Sequence, residues 1–117
     1  VGHESNKLTL NITKEHKRYI KTYADKGVKT VVVLISGRPL VVTNQIKKSN
    51  AFVAAWLPGS EGDGVAEVLF GDYNFKGKLP HSWPNSLADF KGKYGPNFWD
   101  NNIKPLYPFG YGLTYKN

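Results

Sequence analysis

Two short apolar runs stand out in the hydrophobic pattern of the chain, and polar segments separate them. The first, Thr30–Ile35, is rich in β-branched side chains, and the second is Phe52–Leu57; neither run contains a charged residue. Uninterrupted apolar runs of this length are typical of strands that are buried on both faces of a parallel sheet. The segment between them is long enough for a helical crossover. We therefore predict parallel pairing with a right-handed connection.

The segment from Lys14 to about Lys26 has the spacing of an amphipathic helix. Its apolar residues recur about every 3.6 positions, Thr13 stands at the N-cap position, and Gly27 follows the last turn. Its other side is basic. We expect the apolar face to lie against the core, with His16 at its edge; this face consists of Tyr19, Ile20, Tyr23 and Ala24.

The strand Phe52–Leu57 is followed by a glycine-rich, acidic turn and then by a short segment with helical spacing. The turn runs through residues 58–64, and the segment Val65–Phe70 ends before Gly71, where a helix C-cap glycine is expected. The order strand, turn, helix is one half of a βαβ unit. Ligands of open α/β sheets bind at the carboxyl ends of the strands, so this turn lies at the edge where we expect a site.

Beyond Asp72 the pattern changes. Leu79–Trp83 has the composition of a short edge strand, with prolines that limit its pairing. Residues 89–105 are rich in Gly, Asn, Lys and aromatic side chains and predict irregular structure. Pro105–Tyr115 is an aromatic segment that we expect to anchor against an apolar surface. Trp83 is expected to pack in this region, and Trp56 to lie in the core.

Composition excludes several classes of function. The 117 residues suffice for one domain, and the absence of cysteine excludes disulfides and cysteine-ligated zinc. The spacing of the three histidines does not support a metal site, and we expect no cofactor. Although the net charge is +7, the lysines are scattered, and the densest group falls on the polar side of the first predicted helix. We interpret that group as a solvated helix face and not as a nucleic-acid interface.

Four motifs resemble the C-terminal α/β sandwich domain of glycoside hydrolase family 3, the β-glucosidase and exo-glucanase family. They follow the order of the family, and the third lies within the second. They are Thr30–Leu40 with its GRP sequence, Ala54–Pro84, the GKLP sequence at residues 77–80 with Trp83, and Pro105–Tyr115. The resemblance implies a three-layer α/β/α sandwich with a mostly parallel sheet. It also implies that residues 1–117 form one incomplete domain, because Val1-Gly2 resembles the tail of a strand.

The resemblance implies the activity of a retaining glycosidase. Such enzymes use two carboxyl groups about 5–5.5 Å apart, one as nucleophile and one as acid/base. The nucleophile of the family is an aspartate in a Ser-Asp-Trp sequence of an N-terminal (β/α)8 barrel, and this triplet does not occur here. The acid/base glutamate follows a strand that ends in Val-Gly, and Glu4 occupies that place. Glu4 is therefore the candidate acid/base, and the isolated chain is expected to be inactive.

Two functional interpretations stay open. In the first, the chain supplies the acid/base loop and part of the leaving-group pocket to a barrel domain or chain, and the substrate is a β-linked glucoside or oligosaccharide. In the second, it is a non-catalytic structural or carbohydrate-binding domain that has lost this loop. The second is favoured by the short spacing from Val1-Gly2 to Glu4, because the family usually has more residues there.

Three further expectations follow. Phe98 and Trp99, in the irregular segment, are candidates for a sugar-binding platform. The simpler alternative is that these two side chains anchor their loop to the rest of the domain. The resemblance favours a secreted or periplasmic location. An incomplete sheet exposes an apolar edge and face, so we expect the chain to be stable only when a preceding segment or another chain covers that surface.

Overall fold

A computed structural model describes residues 10–90 and 104–116 of the chain. Helices and strands alternate in these ranges, and the two strands pair in parallel from Val31 opposite Ala51 to Leu34 opposite Ala54. The α/β class and the parallel pairing predicted from sequence are confirmed. The elements are helix α1 Lys14–Asp25, strand β1 Val31–Ile35, helix α2 Thr43–Lys48, strand β2 Ala51–Trp56, helix α3 Gly62–Phe70 and a 3₁₀ helix Leu87–Phe90.

Helix α1 begins and ends as its sequence predicts. The hydroxyl oxygen of Thr13 accepts a hydrogen bond from the backbone N–H of His16 at 3.2 Å, which satisfies one of the free amides of the first turn. Gly27 has a φ of +71° just beyond the helix, in the left-handed region that glycine adopts readily. On the solvent side Lys21 pairs with Asp25 one turn later, and this hydrogen bond lowers the pKa of the Asp25 carboxyl.

The predicted apolar face of α1 is only partly covered. Ile20 is buried, but Tyr19 and Tyr23 are 46% and 50% exposed, and the Tyr19 hydroxyl donates to the Glu15 carboxylate at 2.7 Å. The expectation that the two tyrosines lie against the core is wrong, and so is the expectation that His16 lies at the core edge, since His16 is exposed as well. Helical spacing identifies the residues that share a side, but it does not say how much of that side a neighbour covers.

The strands are less buried than their composition predicts. Val31 and Ile35, at the two ends of β1, are 56% and 59% exposed, and the residues between them are half-buried. In β2 only Ala51 is exposed, and the other residues are half-buried. Within the described residues the sheet has two strands, so each strand has one unpaired edge. Burial of both faces requires more elements than these ranges contain.

The buried apolar side chains come from four separate segments. Val42 is fully enclosed just before α2, and the backbone N–H of Val41 donates to the carbonyl oxygen of Leu10 at 2.6 Å. Asn11 and Val41 form an isolated parallel bridge just before α1. Besides Pro39 and Pro84, the buried apolar side chains of the described residues are Leu10, Ile20, Val42 and Trp83.

Residues 104–116, here called the C-terminal segment, form backbone hydrogen bonds with Leu79 and Trp83. Leu79 donates to the carbonyl oxygen of Tyr111 at 2.9 Å, and its own carbonyl oxygen accepts from Gly110 at 2.8 Å. Trp83 forms an isolated antiparallel bridge with Tyr107. The predicted edge strand Leu79–Trp83 is therefore replaced by separate contacts. The prolines of this region lack the N–H groups that a continuous ladder requires.

Candidate functional site at the carboxyl edge of the sheet

A tight turn follows the carboxyl end of β1. The backbone N–H of Ser36 donates to the carbonyl oxygen of Trp56 at 3.1 Å, which extends the pairing of the strands by one residue. The Ser36 hydroxyl donates to the carbonyl oxygen of Arg38 at 2.8 Å and accepts from the Arg38 N–H at 3.3 Å. These bonds close the turn and leave the Arg38 side chain exposed.

Strand β2 ends in a backbone irregularity at Trp56. Its φ of +56° lies in the left-handed region, which is rare and unfavourable for a bulky residue. The strand register also shifts here, so that Ile35 lies opposite Trp56. Irregularities of this kind re-aim side chains next to functional sites. Leu57, the next residue, is 61% exposed, whereas Trp56 is half-buried and not the core residue that the sequence predicts.

Trp56 packs into an aromatic cluster with His81 and Trp83. Its ring lies 5.5 Å from the His81 ring at an interplanar angle of 81°, the edge-to-face arrangement that aromatic rings favour. The Trp83 ring lies 6.1 Å from that of Trp56. Trp83 is 4% exposed, and its indole N–H donates to the carbonyl oxygen of Leu40 at 2.9 Å. The cluster therefore joins the carboxyl ends of both strands to the segment around Trp83.

A second pair of aromatic rings adjoins this cluster. Tyr107, which bridges Trp83 through the backbone, stacks on Tyr111 with ring centroids 4.4 Å apart and an interplanar angle of 24°. Burial raises the pKa of the Tyr107 phenol, and the neighbouring Tyr111 raises it further. The predicted anchoring of the C-terminal aromatics is seen at Tyr115, whose ring lies 5.3 Å from that of Phe75, whereas Phe109 is 58% exposed.

Three exposed side chains, Ile35, Arg38 and Leu57, lie at the same carboxyl edge; we call them the edge patch. Leu57 lies against the turn of β1, because a Cβ built on Gly37 would stand 3.2 Å from its Cδ1 atom. Ile35 is 59% exposed one residue before that turn. Across residues 10–90 and 104–116 the ion pairing is limited to Lys21 with Asp25, so Arg38 has no carboxylate partner there. Over these ranges the edge patch is therefore apolar with one unpaired cation.

The residues predicted to carry the chemistry lie outside the described residues; they are Glu4, Phe98 and Trp99. The acidic turn after β2 is described, and α3 begins in it at Gly62, earlier than the predicted Val65. Within the described ranges, His, Asp and Glu form no group that could hold a metal ion, and no helix is long and apolar enough to cross a membrane. Sequence reasoning missed the edge patch. The GRP sequence predicted the turn after β1, but it did not predict that the Arg38 side chain is exposed.

Residues 2–115 match the family model described as the glycosyl hydrolase family 3 C-terminal domain. Among curated relatives, the periplasmic beta-glucosidase of Salmonella typhimurium is 34% identical over 98% of this chain and 18% of its own length. The xylan 1,4-beta-xylosidase of Xylanibacter ruminicola is also 34% identical, over 94% of this chain and 13% of its own length. The chain thus spans less than a fifth of these relatives.

A solved structure agrees with the sequence comparisons. The exo-1,3/1,4-beta-glucanase of a Pseudoalteromonas species superposes with a TM-score of 0.76 and 40% identity. The alignment covers 92% of this chain and 14% of that chain. The similarity therefore extends over nearly all of the sequence and includes the carboxyl edge of the sheet.

Proposed function

Because this chain belongs to the family of glycosyl hydrolase family 3 C-terminal domains, we propose that it works as the C-terminal part of a retaining β-glucosidase-type enzyme. In this proposal it supplies the acid/base loop and part of the leaving-group pocket, and an N-terminal barrel holds the nucleophile. The observation that carries the proposal is the family match over residues 2–115. The chain spans less than a fifth of each relative, which agrees with a role as one part of a larger protein.

Glu4 is the proposed acid/base. Six residues after it, the carbonyl oxygen of Leu10 is bound to the N–H of Val41, which follows the turn at the carboxyl end of β1. Six residues can extend over at most about 20 Å, which is enough for the proposed Glu4 to reach the edge where α/β sheets bind ligands. A retaining mechanism requires this carboxyl group to protonate the leaving group first and then to activate water.

The proposed substrate is a β-linked glucoside or oligosaccharide. The names of the Salmonella and Pseudoalteromonas relatives support a glucoside, whereas that of the Xylanibacter relative makes a xyloside the alternative. Phe98 and Trp99 are proposed to stack on a sugar ring. A location outside the cytoplasm is supported by the name of the Salmonella relative, which is periplasmic.

The test of this function is Glu4→Gln in the complete protein, with two aryl β-glucosides as substrates. Loss of the acid should slow the substrate with a poor leaving group far more than the one with an activated phenol, because an activated phenolate departs without protonation. Azide should restore turnover of the activated substrate by attacking the glycosyl-enzyme in place of water. Glu61→Gln is the matched control, since Glu61 is an exposed glutamate of the same sheet edge, and it should leave both rates unchanged.

Equal losses on both substrates, without azide rescue, would show that another group donates the proton. Unchanged activity would favour the non-catalytic alternative, which the short spacing between Val1-Gly2 and Glu4 supports. A second arm uses residues 1–117 alone, which should not hydrolyse either substrate, because the covalent step requires a nucleophile that the Ser-Asp-Trp sequence of the family supplies. Turnover by this piece would contradict the assignment of the nucleophile to the barrel.

A further inference from the structure

We propose that helices α1 and α2 present a binding surface for acidic polysaccharides, polymers whose sugars carry carboxylate groups. The surface consists of Lys14, Arg18 and Lys21 of α1 and Lys48 of α2, and we call it the basic patch. The inference goes beyond the proposed function, because it assigns a second binding surface to the helices and not to the carboxyl edge of the sheet. It rests on the proposed function only for the location outside the cytoplasm.

The positive charge of the chain is concentrated in this part of the molecule. Residues 14–29 and 43–48 contain eight of the sixteen basic residues but two of the nine acidic ones. These two ranges therefore carry a net charge of +6, and the rest of the chain carries +1 of the total of +7. Such a one-sided distribution creates a positive potential that attracts anions over a Debye length, about 8 Å at physiological ionic strength.

The basic patch extends over two neighbouring helices, since α1 packs against α2. Lys14, Arg18 and Lys21 recur at the spacing of residues on one side of a helix, and all three are exposed. The pKa of the Asp25 carboxyl is lowered mainly by the hydrogen bond from Lys21 and further by the charge of Lys48. The exposed Lys48 of α2 therefore lies near the basic row of α1.

Carboxylates neutralise little of the basic patch. Within the part of the chain that the structure describes, ion pairing is limited to Lys21 with Asp25. The other carboxylate of α1, Glu15, accepts a hydrogen bond from the Tyr19 hydroxyl at 2.7 Å. The guanidinium carbon of Arg18 lies 5.5 Å from the centre of the Tyr19 ring, a contact that orients the side chain without removing its charge. The other three cations of the patch are thus available to an anionic partner.

Charge and helix composition select the occupant. A row of exposed cations is complementary to a polymer with repeated anionic groups. Helices that bind membrane surfaces combine their basic side with Trp, Phe or Leu, and neither α1 nor α2 contains one of these residues. The proposed location outside the cytoplasm disfavours nucleic acid as the polyanion. An acidic polysaccharide therefore fits the basic patch best.

Affinity electrophoresis of the complete protein tests the proposal without relying on activity. Native gels contain either polygalacturonate or the same polymer with its carboxyl groups methyl-esterified. Polygalacturonate should retard the wild type, whereas the uncharged ester should not. The neutralised variant combines Lys14→Gln, Arg18→Gln and Lys48→Gln, and its affinity for polygalacturonate should be about ten-fold lower because three exposed charge pairs are lost.

A matched control removes the same charge outside the basic patch. It combines Lys76→Gln, Lys104→Gln and Lys116→Gln, all at exposed residues. Its affinity should fall by about two-fold or less, since charges beyond a Debye length are largely screened. Equal losses in the neutralised variant and in this control would contradict the proposal.

A third variant keeps the charge of the basic patch and separates electrostatics from folding. Lys14→Arg, Arg18→Lys and Lys48→Arg in combination should bind polygalacturonate as the wild type does, and added salt should weaken the binding of both. Loss of binding in this variant would contradict the proposal. The proposal would also be overturned if the wild type is not retarded, if the ester retards it, or if anionic vesicles or DNA bind more tightly than polygalacturonate.

Hydrolysis of an aryl β-glucoside separates this inference from the proposed function. The neutralised variant should hydrolyse it at the wild-type rate, and Glu4→Gln should bind polygalacturonate as the wild type does. If the neutralised variant loses the polymer but Glu4→Gln hydrolyses both aryl glucosides normally, the basic patch stands and the acid/base assignment falls. If Glu4→Gln shows the expected dependence on the leaving group but the neutralised variant still binds the polymer, the reverse holds.

Discussion

The indole N–H of Trp83 donates to the carbonyl oxygen of Leu40 across 43 residues of sequence, at 2.9 Å. Leu40 follows the turn at the carboxyl end of β1, and Trp83 is also bridged to Tyr107. One side chain therefore connects the loop after β1 with the C-terminal segment. Because the donor is 4% exposed, water cannot readily replace it.

Trp83→Phe should lower the free energy of unfolding by about 1–3 kcal/mol, because it leaves the partly buried carbonyl of Leu40 without its donor. Phe keeps most of the aromatic contact with Trp56. Chemical denaturation followed by circular dichroism would measure the change. Trp83→Leu is the comparison: if it is destabilising while Trp83→Phe is not, packing alone explains the role of Trp83.

Gly112→Ala should be destabilising because the added Cβ would overlap the carbonyl oxygen of Gly77. The obstacle is backbone, so it cannot rotate away as a side chain would, and we expect a cost of about 1–3 kcal/mol in thermal or chemical unfolding. Gly77→Ala is the matched control, since a Cβ there meets open space. That variant should remain within about 0.5 kcal/mol of wild type. Similar losses in both would argue against close approach of the two segments.

Tyr115→Phe should loosen the end of helix α3. The Tyr115 hydroxyl lies 2.8 Å from the carbonyl oxygen of Val68 and 3.2 Å from that of Leu69, which are among the last carbonyls of the helix. Its removal should cost about 0.5–1.5 kcal/mol. Hydrogen exchange should become faster in the last turn of α3. Tyr73→Phe, which alters a 64% exposed residue just beyond that helix, should leave the exchange unchanged.

The free energy of unfolding should fall at alkaline pH because the Tyr107 phenol ionises. Burial, followed by the proximity of Tyr111, raises the pKa of this phenol in the folded protein above its ordinary value of 10.0. The folded state therefore holds the proton more tightly than the unfolded state. The contribution of the protonated Tyr107 phenol to the free energy of unfolding is complete below pH 10.0. It is lost as the pH rises through the pKa of the folded state.

Unfolding measured as a function of pH would detect this loss, and ultraviolet absorbance would follow the ionisation of the phenol. Tyr107→Phe should remove its share of the alkaline destabilisation. Tyr111→Phe should reduce it without abolishing it, because burial is the larger cause. An unchanged alkaline profile in Tyr107→Phe would assign the loss to other groups.

The elements that depend on local signals could be predicted from sequence. The N-cap Thr13, the apolar run of β1 and the glycine after α3 each determine structure through neighbours within a few residues. Gly71 has a φ of +89°, which only glycine adopts readily. The parallel pairing followed from the length of the crossover.

Features that depend on distant partners could not be predicted. Tyr19 and Ile20 are neighbours in the same helical pattern, yet one is exposed and the other buried, because exposure depends on what packs against the helix. The left-handed conformation of Trp56 coincides with the register shift that places it opposite Ile35 of the other strand, and local sequence does not show that relationship. The proposed catalytic residue Glu4 came from the resemblance of several ordered motifs and not from any local pattern.

The attachment of the C-terminal segment has a consequence for biosynthesis. Tyr115 donates its backbone N–H to the side-chain oxygen of Asn74 at 2.8 Å, and Leu79 pairs with Tyr111 more than thirty residues later. During translation, residues 75–83 therefore leave the ribosome well before the partners that cover them. Until Tyr115 is made, the nascent chain lacks the ring that packs on Phe75 at 5.3 Å, and aggregation or binding of a chaperone can compete with folding during this interval.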